Sequence, residues 1–152
     1  MNKVWHILKR WFIEMGSPPL FYRWSSNIVP WLGVFAFLVL SIGLYWGLFI
    51  APTDYKQGDV YRILYIHVPS AILGESIFMF MAVCGFVNVV WRAKVSGMML
   101  KSAAPIGLSF TLVVLVTGSV WGKPTWGTWW VWDARLTSTL ILFFIYAALV
   151  GL

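Results

Sequence analysis

The sequence is poor in charge, and this shortage limits the class of protein. Only 11% of its 152 residues are charged, whereas 61% are hydrophobic and the mean hydropathy is +0.82. An average soluble protein is about a quarter charged. A soluble domain of this length could not bury so much apolar surface, so the composition predicts a polytopic integral membrane protein.

Cysteine is also nearly absent, because Cys84 is the only one. A single cysteine excludes a disulfide within the chain and a zinc site built from thiolates. It also excludes the Cys-x-x-Cys-His attachment motif of c-type cytochromes and the Cys-x-x-Cys pair of dithiol reductases. Cys84 lies between apolar residues, and we expect it to be a small buried side chain.

Acidic residues are fewer than basic ones, 5 against 11, which gives a net charge of +6. The basic residues concentrate in the N-terminal segment and in the stretch 91–102. Membrane proteins keep such segments in the cytoplasm. The stretches 51–64 and 121–138 are then predicted to lie outside, which in a Gram-negative cell is the periplasm. Because the sequence predicts no separate soluble domain, the positive charge does not indicate a nucleic-acid partner.

The apolar runs predict an all-α helix bundle. Three complete transmembrane helices are expected at 30–50, 65–90 and 103–120, each about as long as a bilayer requires. A fourth apolar stretch begins at 136 and reads as truncated at the end of the chain. Residues 1–27 are predicted to form a cytoplasmic amphipathic segment on the membrane, ended by Pro18 and Pro19, with no cleaved signal peptide. The membrane domain is then 28–152, incomplete at its C-terminus.

The stretch 121–138 is unusually rich in tryptophan and is punctuated by Gly122, Pro124 and Gly127. Gly and Pro at this density favour a turning segment over a continuous helix. Indoles held on such a segment can form a flat platform for a flat aromatic ligand at the membrane surface. The alternative is an aromatic belt at the bilayer interface. The tryptophans concerned are Trp121, Trp126, Trp129, Trp130 and Trp132.

The run WGKPTWGTWWVWDARLTS at 121–138 resembles the Trp-rich WWD segment of the haem-handling, cytochrome c assembly membrane proteins. Within that family the chain is most similar to the cytochrome c maturation branch. The stretches APTDY at 51–55, YRILYIHVP at 61–69 and APIG at 104–107 support the resemblance, which covers about residue 28 to the end. It implies a bundle of six spans with two outward-facing histidines that ligate haem iron.

His67 is the candidate iron ligand, since it lies near the start of the second predicted span, on the same side as the Trp-rich segment. The positive end of a helix favours a neutral imidazole, which can ligate iron. From the residues alone, a hydrogen-bonded interface histidine is an equally good interpretation; the resemblance favours the ligand. The family's second histidine belongs to a later loop, and no histidine follows His67 in this sequence.

Three charged residues beside the tryptophans are candidates for contacts with the ligand. Asp133 directly precedes the fourth span, where Asp is a preferred N-cap, so a capping role competes with a binding role. Arg135 and, second, Lys123 are candidates to hold the haem propionates, because cationic side chains pair with carboxylates. Contact with lipid headgroups is the alternative for both. Glu75, within the second span, is left outside the predicted site.

The resemblance implies a protein that binds haem b at the outer face and delivers it to a periplasmic haem chaperone. The implied partners are ABC-type transporter subunits, a small single-span membrane protein and the lipid bilayer. No residue indicates catalysis, so the chain is predicted not to be an enzyme. The alternatives are a small transporter subunit with a Trp-lined vestibule and no haem, and, ranked low, an anchor for a quinone-linked redox complex.

Overall fold

Four long helices make up most of residues 17–152, the part of the chain that the computed structural model describes. Each, with its short extensions, is long and apolar enough to cross a membrane. The predicted all-α, polytopic membrane fold is therefore confirmed, while the amphipathic helix predicted within residues 1–16 lies outside the described residues. The helices are α1 (Pro18–Tyr45), α2 (Leu64–Trp91), α3 (Lys94–Trp126) and α4 (Ala134–Gly151).

Helix α1 begins earlier than the sequence predicts. Pro18 and Pro19 open the helix instead of ending one, because the first turn of a helix needs no N–H donors. The expected start at residue 30 is therefore wrong, and α1 runs through the predicted boundary at 27–28. A π-helical turn, Trp46–Ile50, extends it. No residue of Pro18–Tyr45 is buried, so this helix lies at the edge of the bundle.

Helices α2 and α3 form an antiparallel hairpin closed by two residues, Arg92 and Ala93. The bounds of α2 agree with the predicted span 65–90 to within one residue at each end. A 3₁₀ turn, Asp59–Ile63, precedes α2. Pro69 lies inside α2, beyond its first turn. Helix α3 is longer at both ends than the predicted 103–120, because its polar first turns and its Trp-rich last turn are also helical.

The core lies where α2, α3 and α4 meet, and Tyr146 of α4 is its central side chain, with no exposed surface. A Cβ on Gly107 of α3 would collide with the Tyr146 ring. The Tyr146 hydroxyl donates to the carbonyl of Gly74 on α2 at 2.7 Å. Small residues at these crossings let the three helices approach closely, as is usual in membrane bundles. Met81, Ala103, Ala104 and Tyr146 form this core.

The other end of the α2–α3 hairpin is held by polar backbone contacts. Cys84 is buried, as predicted. Its backbone carbonyl accepts a hydrogen bond of 2.6 Å from the hydroxyl of Ser96. This bond joins α2 to the first turn of α3 next to the basic hairpin turn.

Candidate functional site

The stretch 51–63 and the Trp-rich stretch 121–133 meet at one end of the bundle, which we call the Trp-rich end. Asp54 shapes the first stretch, since its carboxylate accepts from the backbone N–H groups of Lys56 and Gln57 at 2.9 and 2.8 Å. Gly58 closes this turn with φ +59°, a conformation that favours glycine. Gln57 then accepts a 2.7 Å hydrogen bond from the indole N–H of Trp121. The two stretches were predicted to lie on the same side, and this bond joins them.

His67 lies at the Trp-rich end, half-buried against α3. Its Nδ1 is 2.9 Å from the hydroxyl oxygen of Thr117. The ring of Trp121 meets the imidazole edge to face, with centroids 5.7 Å apart. Gly118 leaves room for the imidazole, since a Cβ there would lie 3.1 Å from His67 Cε1. Three residues of one helical face therefore fix the position of the ring.

The start of α4 lies beside His67, Thr117, Gly118 and Trp121, four residues that we call the junction. Asp133 caps the helix, because its carboxylate accepts from the backbone N–H of Leu136 at 2.8 Å, so the predicted N-cap is confirmed. Arg135 lies in the first turn, exposed, and close enough to His67 to act on it electrostatically. Within residues 17–152 the one ion pair joins Arg62 to Asp59, so no carboxylate of the described chain neutralises Arg135.

The Trp-rich segment is less irregular than the sequence predicts. Helix α3 continues through Trp126, with Pro124 in its last turn, and only 127–133 is non-helical. Gly127 ends the helix with φ +81°, the left-handed conformation common after a C-terminus. Trp121 is therefore a helical residue and not a loop residue. The expectation of a non-helical segment from 121 onward is wrong for its first six residues.

The remaining indoles form a corner and not one flat shelf. Trp130 and Trp132 pack edge to face, with centroids 5.4 Å apart and planes at 75°. Trp132 is 75% exposed, and Trp126 and Trp129 are also exposed, whereas Trp130 is half-buried. The exposed indole faces are available to a ligand, but Trp130 and Trp132 cannot both lie flat against the same planar molecule.

Two polar groups of this segment differ in whether they have a hydrogen-bond partner. The ammonium of Lys123 donates to the carbonyl of Gly127 at 3.1 Å and so caps the end of α3, a role that competes with anion binding. The buried indole N–H of Trp130 is the one buried side-chain polar atom of residues 17–152 that has no hydrogen-bond partner. A buried donor without an acceptor costs about 1–3 kcal/mol. An acceptor could reach this donor only if neighbouring groups moved, because the indole nitrogen has no exposed surface.

Sequence reasoning missed several residues of the junction. Nothing in the sequence identifies Thr117 as the partner of His67, because the two residues are 50 positions apart. Gln57 and Gly118 carry no sequence signal, because their roles depend on contacts between segments far apart in the chain. Glu75 is exposed on α2 and does not take part in the junction. No group of three or more His, Cys, Asp or Glu that could hold a metal ion occurs among the described residues.

Comparison with known proteins identifies the family. Residues 11–152 match the sequence model described as "Heme exporter protein C". The chain is 48% identical over 139 residues to the "Heme exporter protein C" of Escherichia coli strain K12, which covers 91% of this chain and 57% of the relative.

Relatives of the same name from other bacteria are similar. Identity is 43% over 143 residues for Haemophilus influenzae (94% of this chain, 58% of the relative). It is 44% over 140 residues for Bradyrhizobium diazoefficiens (92% and 53%). The chain spans a little over half the length of these relatives. The match covers nearly the whole of the chain, and the chain belongs to the heme exporter protein C family.

Proposed function

We propose that this chain is a haem-handling membrane component of cytochrome c biogenesis and binds haem at its Trp-rich end. The observation that carries the proposal is the junction of His67, Thr117, Trp121 and Gly118, with Arg135 beside it. A neutral histidine held by one nitrogen leaves the other for a metal. The relatives named "Heme exporter protein C" support haem as the cargo.

The residues at this end fit the chemistry of a porphyrin with an iron centre and two carboxylates. Exposed indole faces of Trp126, Trp129 and Trp132 supply apolar contact. The exposed guanidinium of Arg135 is a donor for propionate oxygens, since a guanidinium can take a carboxylate in two hydrogen bonds. Arg135 is the better anchor because Lys123 is already engaged at the end of α3.

The chain's own residues would hold and release haem without breaking bonds in it. His67 would supply one axial ligand to the iron, and haem b, which needs no thioether attachment, suits a chain with no Cys-x-x-Cys-His motif. The second axial histidine that the resemblance implies has no counterpart after His67 in this sequence. No catalytic role is proposed for any residue.

The distribution of charge supports an orientation in the bacterial inner membrane. Arg92, Lys94 and Lys101 lie at the end of the α2–α3 hairpin opposite the Trp-rich end. Positive residues favour the cytoplasmic side, so the N-terminus would be cytoplasmic and the Trp-rich end periplasmic. The proposed partners are a periplasmic haem chaperone that receives the haem, ABC-type transporter subunits and a small single-span membrane protein.

An absorption spectrum of the detergent-purified protein from haem-replete cells tests this proposal. We expect a Soret band that disappears or shifts in His67→Ala, because the axial ligand is lost. His6→Ala, which removes the other histidine of the sequence, is the matched control and should keep the band. A His67→Ala spectrum identical to that of the unmodified protein would refute the ligand role. A small transporter subunit with a Trp-lined vestibule predicts no band in any of the three.

A further inference from the structure

The hydroxyl of Thr117 is the hydrogen-bond partner of His67 across the α2–α3 interface. The distance between Thr117 Oγ1 and His67 Nδ1 is 2.9 Å. Which of the two atoms donates decides which ring nitrogen of the neutral imidazole carries its proton. The other contacts of the hydroxyl answer that question.

Thr117 uses its only hydroxyl proton within its own helix. Oγ1 lies 2.6 Å from the carbonyl oxygen of Val113, one turn earlier, and 3.4 Å from that of Val114. Carbonyl oxygens only accept, and two oxygens 2.6 Å apart need a proton between them, so the hydroxyl donates to the carbonyl of Val113. The lone pairs of Oγ1 then remain for His67, and Oγ1 can only accept from the ring.

His67 Nδ1 is therefore the donor. In a neutral imidazole that carries its proton on Nδ1, the lone pair is on Nε2. A ring turned over by 180° would place the carbon Cδ2 opposite Oγ1 and lose the hydrogen bond to Thr117.

We propose that Thr117 is a positioning residue that holds His67 as the Nδ1–H tautomer and so presents the Nε2 lone pair to an iron ligand site. The iron part of this inference rests on the proposed function, whereas the tautomer does not. Histidines that ligate metals commonly donate their other ring N–H to an acceptor, and loss of that acceptor typically weakens metal affinity by about 10–100-fold.

The test compares Thr117→Val, which keeps the shape but removes the acceptor, with Thr117→Ser, which keeps the acceptor. Nitrogen-15 NMR of histidine-labelled protein without haem reports the tautomer, and His6→Ala assigns the signals since the sequence has only two histidines. We expect the Nδ1–H form in the unmodified protein and in Thr117→Ser. The Nε2–H form, which free imidazole side chains prefer, should appear in Thr117→Val.

Haem titration of the same proteins completes the test. Affinity should fall about 10–100-fold in Thr117→Val and stay near the original value in Thr117→Ser. An unchanged tautomer in Thr117→Val would overturn the proposal. So would a changed tautomer with unchanged affinity, in a protein whose haem binding requires His67. If the unmodified protein bound no haem while Thr117→Val still changed the tautomer of His67, the proposed function would fail. The role of Thr117 in fixing the tautomer of the ring would stand.

Discussion

At the scale of single residues, Gly118 matters because it has no side chain where α3 faces the His67 ring. A Cβ there would lie 3.1 Å from His67 Cε1, 3.7 Å from Nδ1 and 3.8 Å from Leu136. Real Cβ atoms rarely approach so closely, and the neighbours on the other sides belong to two different helices. An added methyl group must therefore displace the imidazole by a few tenths of an ångström and so disturb its contact with Thr117.

Gly118→Ala should lower haem affinity by about 10-fold or more, since the ring loses its acceptor and its orientation. The same change should not destabilise α3, because alanine in a helix interior is about 0.5–1 kcal/mol better than glycine. Haem titration and thermal unfolding in detergent would measure the two effects separately.

Gly33→Ala on α1 is the matched control, since nothing lies within 4 Å of the Cβ that it adds. It should change neither haem affinity nor the spectrum. Equal haem affinity in Gly118→Ala and Gly33→Ala would contradict the close packing around His67.

The cap of α4 was predictable from the sequence, whereas the partner of His67 was not. Asp133 stands directly before an apolar run, and an N-cap depends only on the next few residues. Thr117 is 50 residues from His67, and nothing local says which hydroxyl the ring meets. The mutual orientation of Trp130 and Trp132 depends likewise on packing and not on spacing.

At the scale of elements, Arg62 joins the end of α1 to the start of α2. Its guanidinium donates to the carbonyl of Leu48 at 2.8 Å, to that of Gly47 at 3.4 Å, and to Asp59 at 3.0 Å. The last carbonyls of a helix have no partner within the helix, and Arg62 supplies one. Gly47 also lies against the ring of Tyr65, where a Cβ would come within 2.8 Å.

Arg62→Gln should loosen this connection, because α1 buries no residue of its own that would hold it in place. Hydrogen bonds from a charged donor contribute about 1.5–3 kcal/mol each, although solvent exposure reduces this. Hydrogen exchange of the amides of 46–51 should become faster. Arg23→Gln, which changes an exposed arginine on α1, is the control, and equal exchange in both variants would mean that Arg62 does not hold the helix end.

The elements themselves were only partly predictable. Hydropathy predicted both ends of α2 to within one residue, because polar residues border the helix on both sides. It failed for α1 and α3, because a helix can continue beyond the apolar part of a span. Pro18 and Pro124 were interpreted as breaks, but proline is tolerated in the first turn and where neighbouring groups replace the lost bond.

At the scale of the whole molecule, the basic hairpin turn and the Trp-rich end lie at opposite ends of the bundle. Lys94 begins α3, and Lys56 lies in the turn that Asp54 shapes beside Gln57. Helix α2 runs from one of these ends to the other. Because it crosses the membrane once, the two ends must lie on opposite sides.

Cysteine labelling in intact cells tests the proposed orientation. In a Cys84→Ser background, Lys56→Cys should react with a membrane-impermeant maleimide added outside, whereas Lys94→Cys should react only after the membrane is opened. Both side chains are exposed, so burial does not explain a difference. The reverse pattern would put the Trp-rich end in the cytoplasm and exclude delivery to a periplasmic chaperone.

The contact of Tyr146 with Gly107 and Gly74 also has an evolutionary consequence. The ring fills the space that Gly107 leaves open, and its hydroxyl needs the carbonyl of Gly74. A larger residue at 107 is tolerable only if the residue at 146 becomes smaller, and neither change succeeds alone. Among related sequences, positions 107 and 146 should therefore vary together, with side-chain volumes that compensate each other.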